Sequence, residues 1–145
     1  MSSNKMTQKD LESLFKDSYT TILCSHNKNG TIHAAPIWYR YKNSEFYFVS
    51  IKKSRRVTNI KRNNNVSLSF LIQGSKAIDA DIPSKYALVY GFAELGFEPE
   101  EGYDHYVNWV WSKYESTGVE QDQEFDHDAF VTLKVVPKKI IHFYP

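Results

Sequence analysis

Apolar residues along this chain recur mostly at every second position, and three short stretches break that rhythm with helical spacing. In the first, residues 7–16, Thr7 and Asp10 stand in the places of a variant capping box, and Leu11, Leu14 and Phe15 follow on one helical face. The second spans residues 55–62, with Ser54 placed to cap its start and Asn63, Asn64 and Asn65 to break the chain after it. A third opens on the acidic Glu98-Pro99-Glu100-Glu101 and carries a stripe of Tyr103, Tyr106, Val107, Val110, Trp111 and Tyr114, with Gly118 as its expected stop.

Between these helices the alternation predicts strands. Residues 19–25 and 31–41 flank Asn27-Lys28-Asn29-Gly30, which supplies the left-handed positions of a tight hairpin turn. Lys42-Asn43-Ser44 makes a second turn into residues 45–50, where Phe46 and Phe48 share one face and Tyr47 and Val49 the other. Val66, Leu68, Phe70 and Ile72 alternate with Ser67 and Ser69, and residues 73–84 read as a loop. Tyr86, Leu88, Tyr90 and Phe92 then alternate with Ala87, Val89, Gly91 and Ala93, a large face opposite a small one that suits a tightly curved barrel wall. After an acidic loop over residues 119–128, Val131, Leu133 and Val135 form a strand, Pro137 interrupts it, and residues 140–144 close the sheet. The expected fold is mainly β, a barrel with peripheral helices, one of which covers an open end.

Composition agrees and narrows the function. A chain of 145 residues, 41% hydrophobic and 24% charged, fits one compact domain over residues 1–145. Its 15% aromatic share favours pleated surfaces over helices. No apolar run is long enough to span a bilayer, and the polar start Met1-Ser2-Ser3-Asn4-Lys5 lacks a secretory hydrophobic region, so a cytoplasmic protein is expected. Cys24, the single cysteine, excludes an intrachain disulfide and a thiolate cluster, and reads as a buried structural thiol. A net charge of +1 exerts no global pull on nucleic acid or anionic membrane, so electrostatics must be sought locally.

One local cluster exists: residues 50–62 hold six cations, Lys52, Lys53, Arg55, Arg56, Lys61 and Arg62. Charge runs are usually solvated faces. Two arginines in a helix's first turn, however, sit where the macrodipole disfavours cations by a few tenths of a kcal/mol, so an anion is expected there. Free helix N–H groups, the Ser54 hydroxyl and two guanidinium forks suit a phosphate monoester. Nucleic acid is a weaker reading, because acidic residues balance the remaining surface.

The order His33-Ala34-Ala35-Pro36-Ile37-Trp38-Tyr39-Arg40, then Phe46-Tyr47-Phe48-Val49-Ser50, then Ser54-Arg55-Arg56 and Asn59-Ile60 resembles the pyridoxamine 5'-phosphate oxidase-like flavoproteins. Tyr90-Gly91-Phe92-Ala93 and Pro137-Lys138-Lys139-Ile140 extend the likeness over most of the chain. The resemblance implies a six-stranded split barrel of the FMN-binding type, working as a homodimer with cofactor at the subunit interface. It places Ser54, Arg55 and Arg56 at the FMN phosphate, with Arg56 where the family usually has lysine. It also sets Ala35, Pro36, Ile37 and Trp38 along the ring and ribityl chain, and Ser50 with Ile51 at the end of the following strand. The implied chemistry is flavin-borne oxidation and reduction of a small substrate. The deazaflavin F420, a flavin-binding or sensing protein with little turnover, and a haem-binding relative through His142 are the alternatives on the same fold. The sequence ends at Tyr144-Pro145 without the longer arginine-bearing C-terminal part of a true pyridoxamine phosphate oxidase, so vitamin B6 oxidation is not expected.

Other candidates carry less. His26, His33, His105, His127 and His142 show no zinc spacing, Asp126-His127-Asp128 reads as a solvated loop, and no metal site is expected. Trp109 and Trp111, two residues apart, cannot share a helix face, so one is expected in the core, Trp111 by preference, and the other at a partner or ligand. No glycine-rich phosphate loop, nucleophile elbow or paired-carboxylate motif is present, which favours chemistry carried by a cofactor.

Overall fold

The computed structural model describes residues 6–72, 85–114 and 122–143. The predicted loop over 73–84 and the helix stop at Gly118 lie outside the described residues. Helix α1 (Gln8–Asp17) leads into the hairpin β1 (Thr20–His26) and β2 (Ile32–Trp38), then β3 (Arg40–Lys42) and β4 (Glu45–Ile51). Helix α2 (Arg55–Arg62) precedes β5 (Asn65–Ile72) and β6 (Lys85–Leu95), and α3 (Tyr103–Ser112) precedes β7 (Phe130–Phe143).

All strands pair antiparallel in one sheet of order β2-β1-β5-β6-β7-β4-β3. Its two edges, β2 and β3, are consecutive in the chain and separated by Tyr39 alone. A single bent strand therefore leaves one edge and enters the other, which wraps the sheet into a split barrel; counted so, the strands number six, as expected. The sequence pattern had suggested an unbroken strand over 31–41. It breaks because Tyr39 is fully buried, donates its backbone N–H to the Tyr114 hydroxyl (3.0 Å) and donates its own hydroxyl to the Phe15 carbonyl (2.5 Å).

The barrel interior is aromatic, with Phe15, Tyr39, Phe46 and Phe70 meeting at ring centroid distances of 4.9–5.8 Å. Helix α1 covers this end through Leu11, Leu14 and Phe15, and the Thr7–Asp10 capping box fixes its start. Both faces of β4 are used: Phe46 and Phe48 point into the barrel, while Val49 and Tyr47 pack under α3. Tyr106 of α3 donates its hydroxyl to the Phe48 carbonyl at 2.7 Å, and burial pushes its ionisation far above the ordinary tyrosine range. Trp109 and Trp111 both pack against this second cluster, Trp109 on Tyr47 and Trp111 on Phe130. The expected division into one core and one outward tryptophan does not hold, because both are partly buried, one against Tyr47 of β4 and the other against Phe130 of β7.

Pro137 does not interrupt the last strand, which runs unbroken as β7 through fourteen residues. The ladder instead slips at Tyr90 and Gly91: Lys139 pairs with Tyr90 and Pro137 with Gly91, leaving Lys138 without a partner in the register. This bulge accommodates a residue that cannot donate to the ladder. It requires glycine opposite, since a Cβ on Gly91 would lie 2.3 Å from the Val136 carbonyl oxygen. On β6 the small residues Ala87, Val89 and Ala93 face the core, and Tyr86, Tyr90 and Phe92 are turned outward.

Candidate functional site

The basic corner forms where β4 ends and α2 begins. The Ser54 N–H donates to the Ile51 carbonyl (3.1 Å), and the Ser54 hydroxyl accepts from the Val57 N–H (3.3 Å), so the predicted cap is present. Helix α2 begins at Arg55, as its spacing predicted, and its first turn holds no acidic residue. Inward, Val57, Asn59 and Ile60 are buried. The Asn59 amide donates to the Ser25 hydroxyl (3.1 Å) and to the Asn27 side-chain oxygen (2.9 Å), which locks α2 onto β1.

This docking sets the two arginines apart. Arg55 is exposed at the helix start. Arg56 is half-buried and lies over β2, its guanidinium donating to the carbonyl of Pro36 (3.3 Å) and, at the limit of hydrogen bonding, of Ala35 (3.5 Å). The structure thus brings Arg56, Ala35 and Pro36 together. Strand β2 is a sheet edge, so its outer backbone groups are available to a ligand as well as to Arg56. Burial depresses the Arg56 pKa from its ordinary value, so an anion beside it would relieve a desolvation cost.

The three buried side-chain polar atoms without a hydrogen-bond partner among the described residues are Arg56 Nε, Ser50 Oγ and His33 Nδ1. All three belong to the elements that meet at this corner: α2, the end of β4 and the edge strand β2. Native proteins satisfy such atoms, and each unmet one costs about 1–3 kcal/mol. A ligand with oxygen acceptors and donors fits this set, and a phosphate ester of a polyhydroxyl chain has both.

The other expected contacts differ in kind. Ile37 points into the core, so only its backbone is available. Trp38 is stacked on Tyr114 at 4.0 Å and 6° between planes, and is about one-third exposed. Ile51 is largely exposed, 61%. Of the six cations, Lys52 donates to the His127 carbonyl (3.1 Å) and Arg62 to the His26 carbonyl. The charge run is therefore partly a set of carbonyl clamps that fasten α2 and its approach to neighbouring turns.

Sequence reasoning missed His33 and Asn59 as parts of this corner. His33 precedes the expected cofactor strand by two residues and shares its inward alternation with Ala35 and Ile37, which was the available signal. Cys24 is half-buried rather than buried, because it alternates onto the outer side of β1. His142 accepts from the Met6 N–H at Nδ1 (2.7 Å), a structural role. Asp126, His127 and Asp128 are exposed, and no group of three metal-ligating side chains occurs among the described residues. No helix among the described residues is long and apolar enough to cross a membrane.

A sheet closed through one bent strand, with a capped helix presenting arginines at its edge, defines a split-barrel protein. The family model for pyridoxamine 5'-phosphate oxidase matches residues 7–144, and the chain belongs to that family. No curated protein matches it in sequence. Among solved structures it is similar to an F420 reductase (23% identity, TM-score 0.69, covering 90% of this chain and 94% of that one). An FAD-binding protein from Mesorhizobium loti is similar at 15% identity and TM-score 0.70, with 94% and 93% covered. The haem storage protein HutZ from Vibrio cholerae is similar at 12% identity and TM-score 0.68, with 94% and 96% covered. These likenesses establish a shared fold.

Proposed function

We propose that this chain binds FMN as a homodimer and acts as an oxidoreductase on a small substrate. The observation that carries the reading is the pair of partnerless buried atoms, Arg56 Nε in the first turn of the capped α2 and Ser50 Oγ at the end of the strand that leads into it. Arg55, Arg56 and the Ser54 cap would hold the phosphate, Ser50 and Ile51 the ribityl end, and the β2 backbone at Ala35, Pro36 and Ile37 with the Trp38 ring would border the isoalloxazine. Bound FMN would supply hydride or electron transfer, while these groups orient it.

An open edge strand cannot enclose a flavin, so a second copy is needed to complete each site. The outer face offers the means: register places Ile22, Ser69, Leu88 and Ile141 side by side across β1, β5, β6 and β7, with exposed Leu71 and Tyr86 next along. An exposed apolar face of this extent marks an association surface.

The test is the absorbance spectrum of purified protein with mass analysis of any small molecule released on denaturation, before and after FMN is added. FMN in stoichiometric amount supports the reading. F420 in its place would keep the fold and phosphate corner but change the cofactor, and a haem spectrum or a protein that ignores all three would overturn it. Reduction of bound flavin by NADH, NADPH or another donor separates an oxidoreductase from a flavin sensor.

A further inference from the structure

At the opposite end of the outer face from Leu71 and Tyr86, a groove of about 470 Å³ opens between β1, β5, β6 and β7. It adjoins the C-terminal half of α2, whose Asn59 and Arg62 donate to Ser25 and His26 of its lining, and Arg55 and Arg56 are not among its lining residues. Lys138 and Lys139 stand on one wall and His26 on another, and no carboxylate is among its lining residues. The Ser67 hydroxyl and the Asn65 amide add polar groups, and the exposed Tyr90 ring and Ile32 add apolar surface.

Consecutive residues of a regular strand point to opposite sides, so two adjacent lysines should not share a groove. Here they do, because the bulge gives Lys138 no partner and turns it to the side of Lys139. Both are exposed, and the Lys138 ammonium lies 4.7 Å from the centre of the Phe92 ring at the groove's margin. The absence of a Cβ at Gly91, forced by the Val136 carbonyl, is what allows this arrangement. Bulges commonly re-aim side chains beside functional sites. Two like charges on adjacent residues, with no ion pair to either among the described residues, leave a positive field over a concave surface of ligand size.

We infer that this groove is a second binding site, for a small organic anion with a ring: a carboxylate, sulfonate or phosphate held by Lys138 and Lys139 while its ring lies against Tyr90. It shares no lining residue with Arg55, Arg56, Ser54 or Ser50 of the cofactor corner.

The test uses the full chain and 2-naphthalenesulfonate as probe, titrated by calorimetry beside the uncharged 2-naphthalenemethanol. The site predicts one sulfonate per chain, weaker binding at raised salt, and a loss of about tenfold or more in affinity for both K138A/K139A and K138Q/K139Q. The alcohol should bind at least about tenfold more weakly than the sulfonate, and R55A/R56A should leave sulfonate binding unchanged. Sulfonate binding that survives loss of both lysines, that falls with the arginines instead, or that is absent in the wild type at millimolar probe overturns the assignment. Far-ultraviolet dichroism and melting temperature confirm that each variant is folded, since all four altered side chains are outside the core.

Discussion

Arg55 and Arg56 are neighbours with different duties, and their substitutions should separate. Each charge-assisted hydrogen bond to a phosphate contributes about 1.5–3 kcal/mol, so R55A/R56A should weaken FMN binding by several kcal/mol in a fluorescence-quenching titration. Arg55 is exposed, and R55A alone should leave unfolding stability within about 0.5 kcal/mol. Arg56 also holds the edge-strand carbonyls of Ala35 and Pro36, so R56A should lower both affinity and thermal midpoint. Equal melting of both single variants, or unchanged affinity in the double one, would remove the assignment. Gly91 is the other residue whose role is sharply defined. Its missing Cβ meets backbone rather than a yielding side chain, so G91A should cost about 1–3 kcal/mol by overpacking, read by denaturant titration.

At the level of elements, the end of α3 is fastened to the barrel through Lys113, and that link is sensitive to pH. The Lys113 ammonium donates to the Ser18 carbonyl and lies 4.3 Å from the centre of the Tyr39 ring. Burial, with the Arg40 charge added, holds its pKa down to about 8. An unfolded lysine titrates near ~10.4, so between these values the unfolded chain carries the extra proton. Stability should therefore rise with pH across that window, and the penalty for the buried cation should be fully present below about 8. Melting temperatures of wild type and K113M from pH 7 to 10 check this: the wild type should gain relative to the variant as pH rises, and parallel curves would contradict it. The variant is the necessary reference, because burial raises Tyr114 to about 12, and ionisation of tyrosines in the unfolded chain works the other way at the alkaline end.

Elements were the most legible part of the sequence, for a physical reason. Period-two alternation and local caps are near-neighbour properties, so α1, α2, β1, β4 and the turn between β1 and β2 could be read within a residue or two. The Ser54 cap and the Arg55 start of α2 were readable because capping chemistry acts within one turn. What escaped depends on distant partners: the break at Tyr39 comes from Tyr114, seventy-five positions away, and the tolerance of Pro137 in a strand comes from Gly91 across the ladder. The partnerless Ser50 hydroxyl and His33 ring are likewise products of which elements converge, which alternation alone does not specify. The resemblance to a family supplied the site residues, and the structure brings Arg56 onto Ala35 and Pro36 while committing the Ile37 side chain to the core.

The whole molecule raises the question of what covers its outer face. Small residues on β6 point inward to let the barrel curl, which forces Tyr86, Tyr90 and Phe92 outward, about two-fifths exposed each. The curvature of the barrel and the apolar character of its exterior thus have one origin in the alternation of residues 86–93. Leu71, 57% exposed, lies opposite Tyr86 in the ladder and is remote from the arginine corner along the chain. If a second copy docks here and completes the flavin site, L71K should break the association and weaken FMN binding together, although it touches no phosphate-holding residue. Sedimentation equilibrium of the wild type should give twice the 16.9 kDa of one chain, and L71K should give the single mass with its melting transition still cooperative. Burying a lysine ammonium in an apolar interface without a partner carries a cost of several kcal/mol, enough to dissociate an interface of ordinary affinity at micromolar protein. A wild type that is monomeric and still holds FMN would show that one copy encloses the cofactor and that the apolar face serves another purpose. An L71K protein that is monomeric but binds FMN as tightly as before would separate the two halves of the proposal, keeping the dimer and removing its part in the site.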